Sequence, residues 1–285
     1  MKLLIGADPE FFVYDPSINE YVSAHNLVKG TKEKPYKLKR GAVQVDGTAI
    51  EFNIAPAPTA FEFSYNVNYV LEQIREMVPE KYDFRFKPTV VFSPKAWKDI
   101  PNFNKQLGCD PDYSGFDQRP MPKPAPKPRA RTRTGAGHLH LGWTENKNPF
   151  DPVHYWDSKE LARELYFVFR AASKIFDSDT ERRYTYGDSA AFRPKSYGME
   201  FRSPSNAWVN YPKLWPFVFD TAKKVFEDLL EGKRATASFA NEVFYPNRNN
   251  EELVKIYNKH AYNKGYPIIP PDFADDFAPF SKKTA

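Results

Sequence analysis

In four stretches of this chain, polar residues two apart interrupt an otherwise apolar run. Residues 3–14 read Leu-Leu-Ile-Gly-Ala-Asp-Pro-Glu-Phe-Phe-Val-Tyr and residues 49–54 Ala-Ile-Glu-Phe-Asn-Ile. Residues 137–142 read Gly-His-Leu-His-Leu-Gly and residues 197–204 Tyr-Gly-Met-Glu-Phe-Arg-Ser-Pro. Side chains alternate faces along a strand, so each stretch predicts a strand with a polar pair on one side and apolar residues on the other. The pairs are Asp8 with Glu10, Glu51 with Asn53, His138 with His140, and Glu200 with Arg202. Pro9 lacks the N–H that a ladder uses, which predicts an edge strand, a bulge, or a turn with its acids in solvent. Asp46-Gly47 is a hairpin signal, and Asp46 reads as a turn residue rather than a ligand.

Helical spacing marks four further segments. Thr59 and Glu62 form a capping-box pattern ahead of Phe63, Val67, Val70, Leu71, Ile74 and Met77. Residues 158–176 carry Leu161, Leu165, Val168, Phe169, Ala172 and Ile175 on one stripe, and residues 213–230 carry Phe217, Val218, Ala222, Val225 and Phe226. Residues 251–262 predict a fourth helix. Residues 84–92 predict a strand, clearest at 89–92, whereas 95–118 and most of 184–194 read as irregular. Proline at 120, 122, 124, 126 and 128 predicts an extended loop over 119–134. The tail from Gly265 reads as irregular, with a disordered end. No repeat or boundary divides the chain, so residues 1–285 are expected to form a single domain with 119–134 as an insertion.

Composition narrows the class. The chain has 285 residues, 41% apolar and 16% aromatic, enough for a sizeable core. No apolar run approaches the roughly 18 residues of a membrane span. An acid at position 8 comes too early for a secretory signal, and Cys109 is the only cysteine. The expectation is a cytoplasmic protein without membrane contact. The net charge of +5 hints at nucleic acid, but its distribution argues against that. Arg119, Lys123, Lys127, Arg129, Arg131 and Arg133 sit in one acid-free segment and account for all of the excess. This basic loop runs into the two-histidine strand. Arg131 and Arg133 are therefore candidates for clamping phosphate or an acidic substrate.

The chemistry follows from collecting the polar pairs. Charge hidden on apolar strands is costly unless paired, and divalent ions would neutralise the carboxylates. Acids with one or two imidazoles suit Mg²⁺ or Mn²⁺, and nearby arginines point to phosphate. Neither a P-loop nor a Rossmann fingerprint is present, so a nucleotide would lie on the sheet. A His-x-His/Glu hydrolase or oxygenase, and a non-catalytic basic nucleic-acid-binding phage protein, remain as alternatives.

The order Asp-Pro-Glu, then Asp-Gly-Thr-Ala-Ile-Glu-Phe, then Gly-His-Leu-His, then Arg193-Pro194 before Tyr-Gly-Met-Glu-Phe-Arg-Ser-Pro carries a resemblance. Over residues 3–208, with gaps, it resembles the amidoligases of the glutamine synthetase superfamily, most of all the phage-encoded carboxylate–amine ligases. The resemblance implies an α+β fold: a curved, mostly antiparallel sheet with helices on its outer face. It implies ATP with two or three Mg²⁺ or Mn²⁺ ions, and small-molecule or peptide carboxylate and amine substrates. Metal ligands would be Asp8, Glu10, Glu51, His138 and Glu200. Arg193 and Arg202 would contact phosphate, and His140 ATP or substrate, all three close to catalysis. Asn53, Arg131 and Arg133 join the nucleotide contacts from spacing alone. In the first motif Asp8 stands where many relatives carry Glu, which shortens the metal-binding arm.

Overall fold

Strand β1 (Leu4–Asp15) runs unbroken through Asp8-Pro9-Glu10 and lies in the middle of the sheet. In this computed structural model, residues 2–106, 112–117, 131–185, 187, 189–235, 239 and 250–277 are described. The other strands are β2 (Glu20–Val22), β3 (Tyr36–Leu38), β4 (Gly41–Asp46), β5 (Ala49–Ile54), β6 (Asp83–Arg85) and β7 (Thr89–Val91). They continue with β8 (Tyr113–Ser114), β9 (Thr132–Thr134), β10 (Gly137–Gly142), β11 (Ala191–Lys195) and β12 (Gly198–Phe201). The helices are α1 (Ala60–Met77), α2 (Pro94–Asp99), α3 (Asn102–Lys105), α4 (Pro152–Phe176), α5 (Glu181–Thr185), α6 (Leu214–Leu230) and α7 (Asn250–Asn263).

The main sheet has the order β3-β4-β5-β1-β10-β12-β11-β8, with β2 and β6 also on β1. Its paired strands are antiparallel. One face of it is apolar. Ile5, Ala7, Phe11 and Val13 of β1, Leu139 and Leu141 of β10, and Ile50 and Phe52 of β5 are buried there with residues of α1, α4 and α6. Each Ile, Leu, Val or Phe among them contributes about 1.5–3 kcal/mol when fully buried. The helices thus cover one face, the fold is α+β, and the polar pairs are left on the other face.

The edge or turn expected at Pro9 is corrected, for a reason visible in the ladder. Ile5 N donates to Ala57 O at 2.9 Å, and Glu10 N donates to Ala136 O at 2.8 Å. Amides alternate sides along a strand, so the Pro9 nitrogen faces β5. There the pairing is interrupted between the Ile5–Ala57 bridge and the Glu10–Glu51 pair. The missing donor falls in a gap of the ladder rather than at a sheet edge.

The hairpin forms as expected, with Gly47 at φ 56° between β4 and β5. Thr59 caps α1 by accepting from Glu62 N. Helix α4 begins earlier than its periodicity suggests, because Asp151 accepts from His154 N and Pro152 occupies the first turn. The single strand expected over 84–92 is two, split around Pro88. The segment 95–118 contains α2, α3 and β8, and Ala191–Lys195 is a strand rather than loop. Residues 118–130 and 278–285 lie outside the described residues, as do the loop and disordered end expected for them, but Thr132–Thr134 is strand β9 and pairs with β7. Phe12 and Ala49, on the polar side of the main sheet, pack with Val90, Phe92 and Ile100 in a small second core.

Candidate functional site

The four polar pairs meet because register puts them side by side. Asp8 lies opposite His138, His140 opposite Glu200, Arg193 opposite Glu200, and Glu10 opposite Glu51. Five neighbouring strands, β5, β1, β10, β12 and β11, thus carry one continuous polar wall. Gly137 fixes the start of β10: a Cβ there would come within 2.2 Å of Ser205 O and 2.5 Å of Trp208 Nε1.

One half of the wall is rich in cations. Glu200 is buried and contacts Lys195 Nζ at 2.9 Å and Arg193 Nη1 at 3.3 Å, and it is also bonded to Arg202. Asp112 forms an ion pair with Arg202 Nε at 2.6 Å and accepts from Arg193 Nη2 at 3.3 Å. The surface ion pair that Glu200 and Arg202 could have formed is instead a buried network. Burial alone would raise the Glu200 carboxyl; Arg202 and the two histidines overcome it and hold it below the ordinary range. Burial likewise opposes, and His140 and His138 outweigh, so Asp8 is also held low.

The histidines differ. His138 Nδ1 lies 3.5 Å from Asp8 and 3.4 Å from Glu200. Burial and then Arg202 push it down to about 4, so its imidazole is neutral at pH 7. His140 Nε2 lies 3.1 Å from Asp8, and its Nδ1 is hydrogen-bonded to the Tyr197 hydroxyl. Burial opposes charge on His140, but Asp8 and Glu200 raise its pKa. Donor atoms of Asp8, His140 and Glu200 lie within 4.8 Å of one another. The sequence suggested His138 as the metal-facing member; this trio contains His140 instead.

The other half is acidic. Carboxylate oxygens of Glu10, Asp46 and Glu51 lie within 4.8 Å of one another. Two of them accept from neutral groups: Gln44 Nε2 donates to Glu51 at 2.8 Å and Ala136 N to Glu10 at 3.0 Å. Burial, then Asp46, pushes Glu10 up to about 8. Burial, then Asp8, Glu10 and Asp46, raises Glu51 well above the carboxylate range. Such mutual repulsion suits a hard divalent ion with oxygen ligands. The buried Asp8 Oδ1 and His140 Nε2 atoms, which make no directed hydrogen bond, fit a cation as well.

No family model matches the chain, and no curated protein matches it. Among solved structures it aligns with the crystal structure of a bifunctional glutathione synthetase from Pasteurella multocida, at 12% identity and a TM-score of 0.41. The alignment covers 96% of this chain and 46% of that one, so the chain spans about half that protein's length. A likeness this loose assigns neither fold family nor activity. Among the described residues, no helix is long and apolar enough to cross a membrane.

Three sequence candidates stand apart from the two clusters. Arg133 lies over the Trp97 ring, 4.4 Å from its centroid, and donates to the Thr132 and Lys105 carbonyls. Arg131 donates to Phe92 O at 2.9 Å. Both hold the small second core, where β9 pairs with β7 in a separate two-stranded sheet. Asn53 lines a groove beside Asp8 and Glu51. Sequence reasoning missed Asp46, Asp112, Lys195 and Tyr197. Lys195 follows Arg193 by two residues on β11, so strand alternation could have found it. Asp112 lies in a stretch with no periodic signal.

Proposed function

We propose that this protein is an ATP-dependent carboxylate–amine ligase of the glutamine synthetase type, which forms an amide or peptide bond between small-molecule or peptide substrates. The observation that carries this reading is the meeting of two unlike half-sites on one wall. Three carboxylates, two of them hydrogen-bonded by neutral groups, adjoin a carboxylate surrounded by Arg193, Lys195 and Arg202. Mg²⁺ or Mn²⁺ ions held by Glu10, Asp46 and Glu51, and by Asp8, His140 and Glu200, would supply positive charge for a polyphosphate.

Around that charge the chain's own residues position and preorganise. Arg193, Lys195 and Arg202 hold phosphoryl oxygens, and Asp112 orients the two guanidiniums. Neutral His138 supports Asp8 and Glu200 from beneath. A substrate carboxylate oxygen forms a bond to the γ-phosphorus of ATP as the bond to the β,γ-bridging oxygen breaks, yielding an acyl phosphate and ADP. An amine nitrogen then bonds to the acyl carbon, phosphate leaves, and the amine gives up a proton. Each step is charge movement in a prearranged field.

A hydrolase or oxygenase built on the two histidines would leave Arg193, Lys195 and Arg202 without a task. A nucleic-acid binder would meet repulsion from Glu10, Asp46 and Glu51. The deciding experiment is an ADP-release assay with Mg²⁺, screened over pairs of carboxylates and amines. Turnover that needs the metal and both substrates supports the ligase. Tightly bound zinc or iron with no ATP binding by calorimetry would exclude it.

A further inference from the structure

Tyr197 occupies the two-residue turn between β11 and β12. The turn is pinned to the end of β10. Trp143 N and Thr144 N donate to the Tyr197 carbonyl at 2.9 and 3.1 Å. The next residue is Gly198 at φ 150°, where a Cβ would come within 2.1 Å of Leu141 O and 2.8 Å of the Trp143 ring. Glycine thus lets the hairpin press against β10, and this close approach carries the Tyr197 side chain to His140. Its hydroxyl is hydrogen-bonded to His140 Nδ1. Burial, then the charges of Glu200 and Asp8, hold the Tyr197 pKa well above its ordinary value. The hydroxyl therefore keeps its proton at pH 7 and stays a neutral partner for the ring.

That bond decides which imidazole nitrogen can hold a cation. A neutral ring carries one N–H and one lone pair, and the hydrogen bond at one nitrogen sets the role of the other. A cation at His138 Nδ1 would meet the Arg202 guanidinium, whose Nη1 lies 3.4 Å away. His140 presents a different atom. Its Nε2 is buried, makes no directed hydrogen bond and lies 3.1 Å from Asp8 Oδ2. His140 also belongs to the trio with Asp8 and Glu200. We infer that Tyr197 is a positioning residue: its hydroxyl oxygen accepts the Nδ1 proton of His140, which leaves the Nε2 lone pair for a divalent ion shared with Asp8 and Glu200. A partner on the second nitrogen fixes both the tautomer and the tilt of a ligating ring. Tyr197 acts through His140 and touches neither ion nor substrate. The inference rests on the ligase reading, under which that ion arrives with a polyphosphate.

The test is pulsed electron paramagnetic resonance on the full chain labelled with ¹⁵N-histidine, titrated with Mn²⁺ with and without a non-hydrolysable ATP analogue. In the wild type the ion that binds only with the analogue is expected to couple to one histidine nitrogen, and His140→Gln should abolish that coupling. Tyr197→Phe keeps the ring and removes only the hydroxyl. It is expected to weaken the nucleotide-dependent ion about 10–100-fold and to diminish the nitrogen coupling. The ion at Glu10, Asp46 and Glu51, which has no histidine ligand, should keep its affinity within about twofold, which also reports that the variant is folded. Unchanged affinity and coupling in Tyr197→Phe overturn the inference. Loss of both ions in that variant overturns it too, by making Tyr197 a structural residue. A nucleotide-dependent ion without histidine coupling in the wild type overturns the inference alone and leaves the ligase reading in place. Absence of any nucleotide-dependent ion removes both.

Discussion

The two halves of the polar wall are built from the same kind of residue and behave in opposite ways. Glu200 and Glu10 are both glutamates on central strands of one sheet. Glu200 is surrounded by Arg193, Lys195 and Arg202, and its carboxyl is held low. Glu10 faces Asp46 and Glu51, and its carboxyl is pushed up to about 8. Burial acts on both in the same direction, so the difference comes from neighbours alone. The lesson is that one half is complete as it stands, whereas the other is electrostatically unfinished and gains most from a cation.

The strongest challenge to this contrast is a pair of matched substitutions. Glu200→Gln removes one of the two carboxylates paired with the buried Arg202, and breaking a buried pair costs about 3–5 kcal/mol. The variant should melt well below the wild type and lose ligase turnover by about 10²–10³-fold, as when a charge-stabilising group is removed. Glu10→Gln relieves repulsion, so the metal-free protein should melt at or above the wild-type temperature while turnover is lost. If both variants shift stability the same way, the distinction fails.

Metal binding sharpens it further. The Glu10, Asp46 and Glu51 corner should bind Mn²⁺ without nucleotide, seen by electron paramagnetic resonance. An ion beside Glu200 meets three cations first, so it should bind only when a polyphosphate is also present. Binding at the acidic corner displaces protons, so its affinity should rise with pH up to about 8 and then level off. Asp46→Asn should weaken the first ion and leave the nucleotide-dependent one in place.

A smaller effect is the pH dependence of the metal-free fold. An acid whose folded pKa is raised binds more protons folded than unfolded, so its contribution to stability falls as pH rises. For Glu10 the window runs from 4.5, its ordinary value, to about 8. Glu51 acts in the same direction. Thermal melts should show this downward slope, with Glu10→Gln reducing it and Mn²⁺ reversing it. His138 adds an opposite loss as pH falls from 6.5 toward 4, because the unfolded ring takes a proton that the folded ring refuses. The smallest expected effect is at Arg133. Arg133→Ala should lower the melting temperature through the lost Trp97 contact and change affinity for an ATP analogue less than twofold.

How much of this was legible follows from which forces are local. Alternation along residues 3–14, 49–54 and 137–142 determined that Asp8 with Glu10, Glu51 with Asn53, and His138 with His140 share faces, because strand geometry repeats every two residues whatever the context. The cap at Thr59 and the stripes of α1 and α6 were equally local. The position of Pro9 was not, since only the partner strands show that its missing N–H meets a gap. Nor was the attachment of Arg131 and Arg133 to the small second core, which depends on β9 choosing β7. Asp46 looked like a turn residue and does flank the turn, at the end of β4, but its place near Glu10 depends on how the hairpin docks against β1. The sequence by itself determined which residues face together along each strand. Only the tertiary structure decided which strands are neighbours, and therefore which carboxylates meet arginine and which meet each other, because charge acts across space and not along the chain.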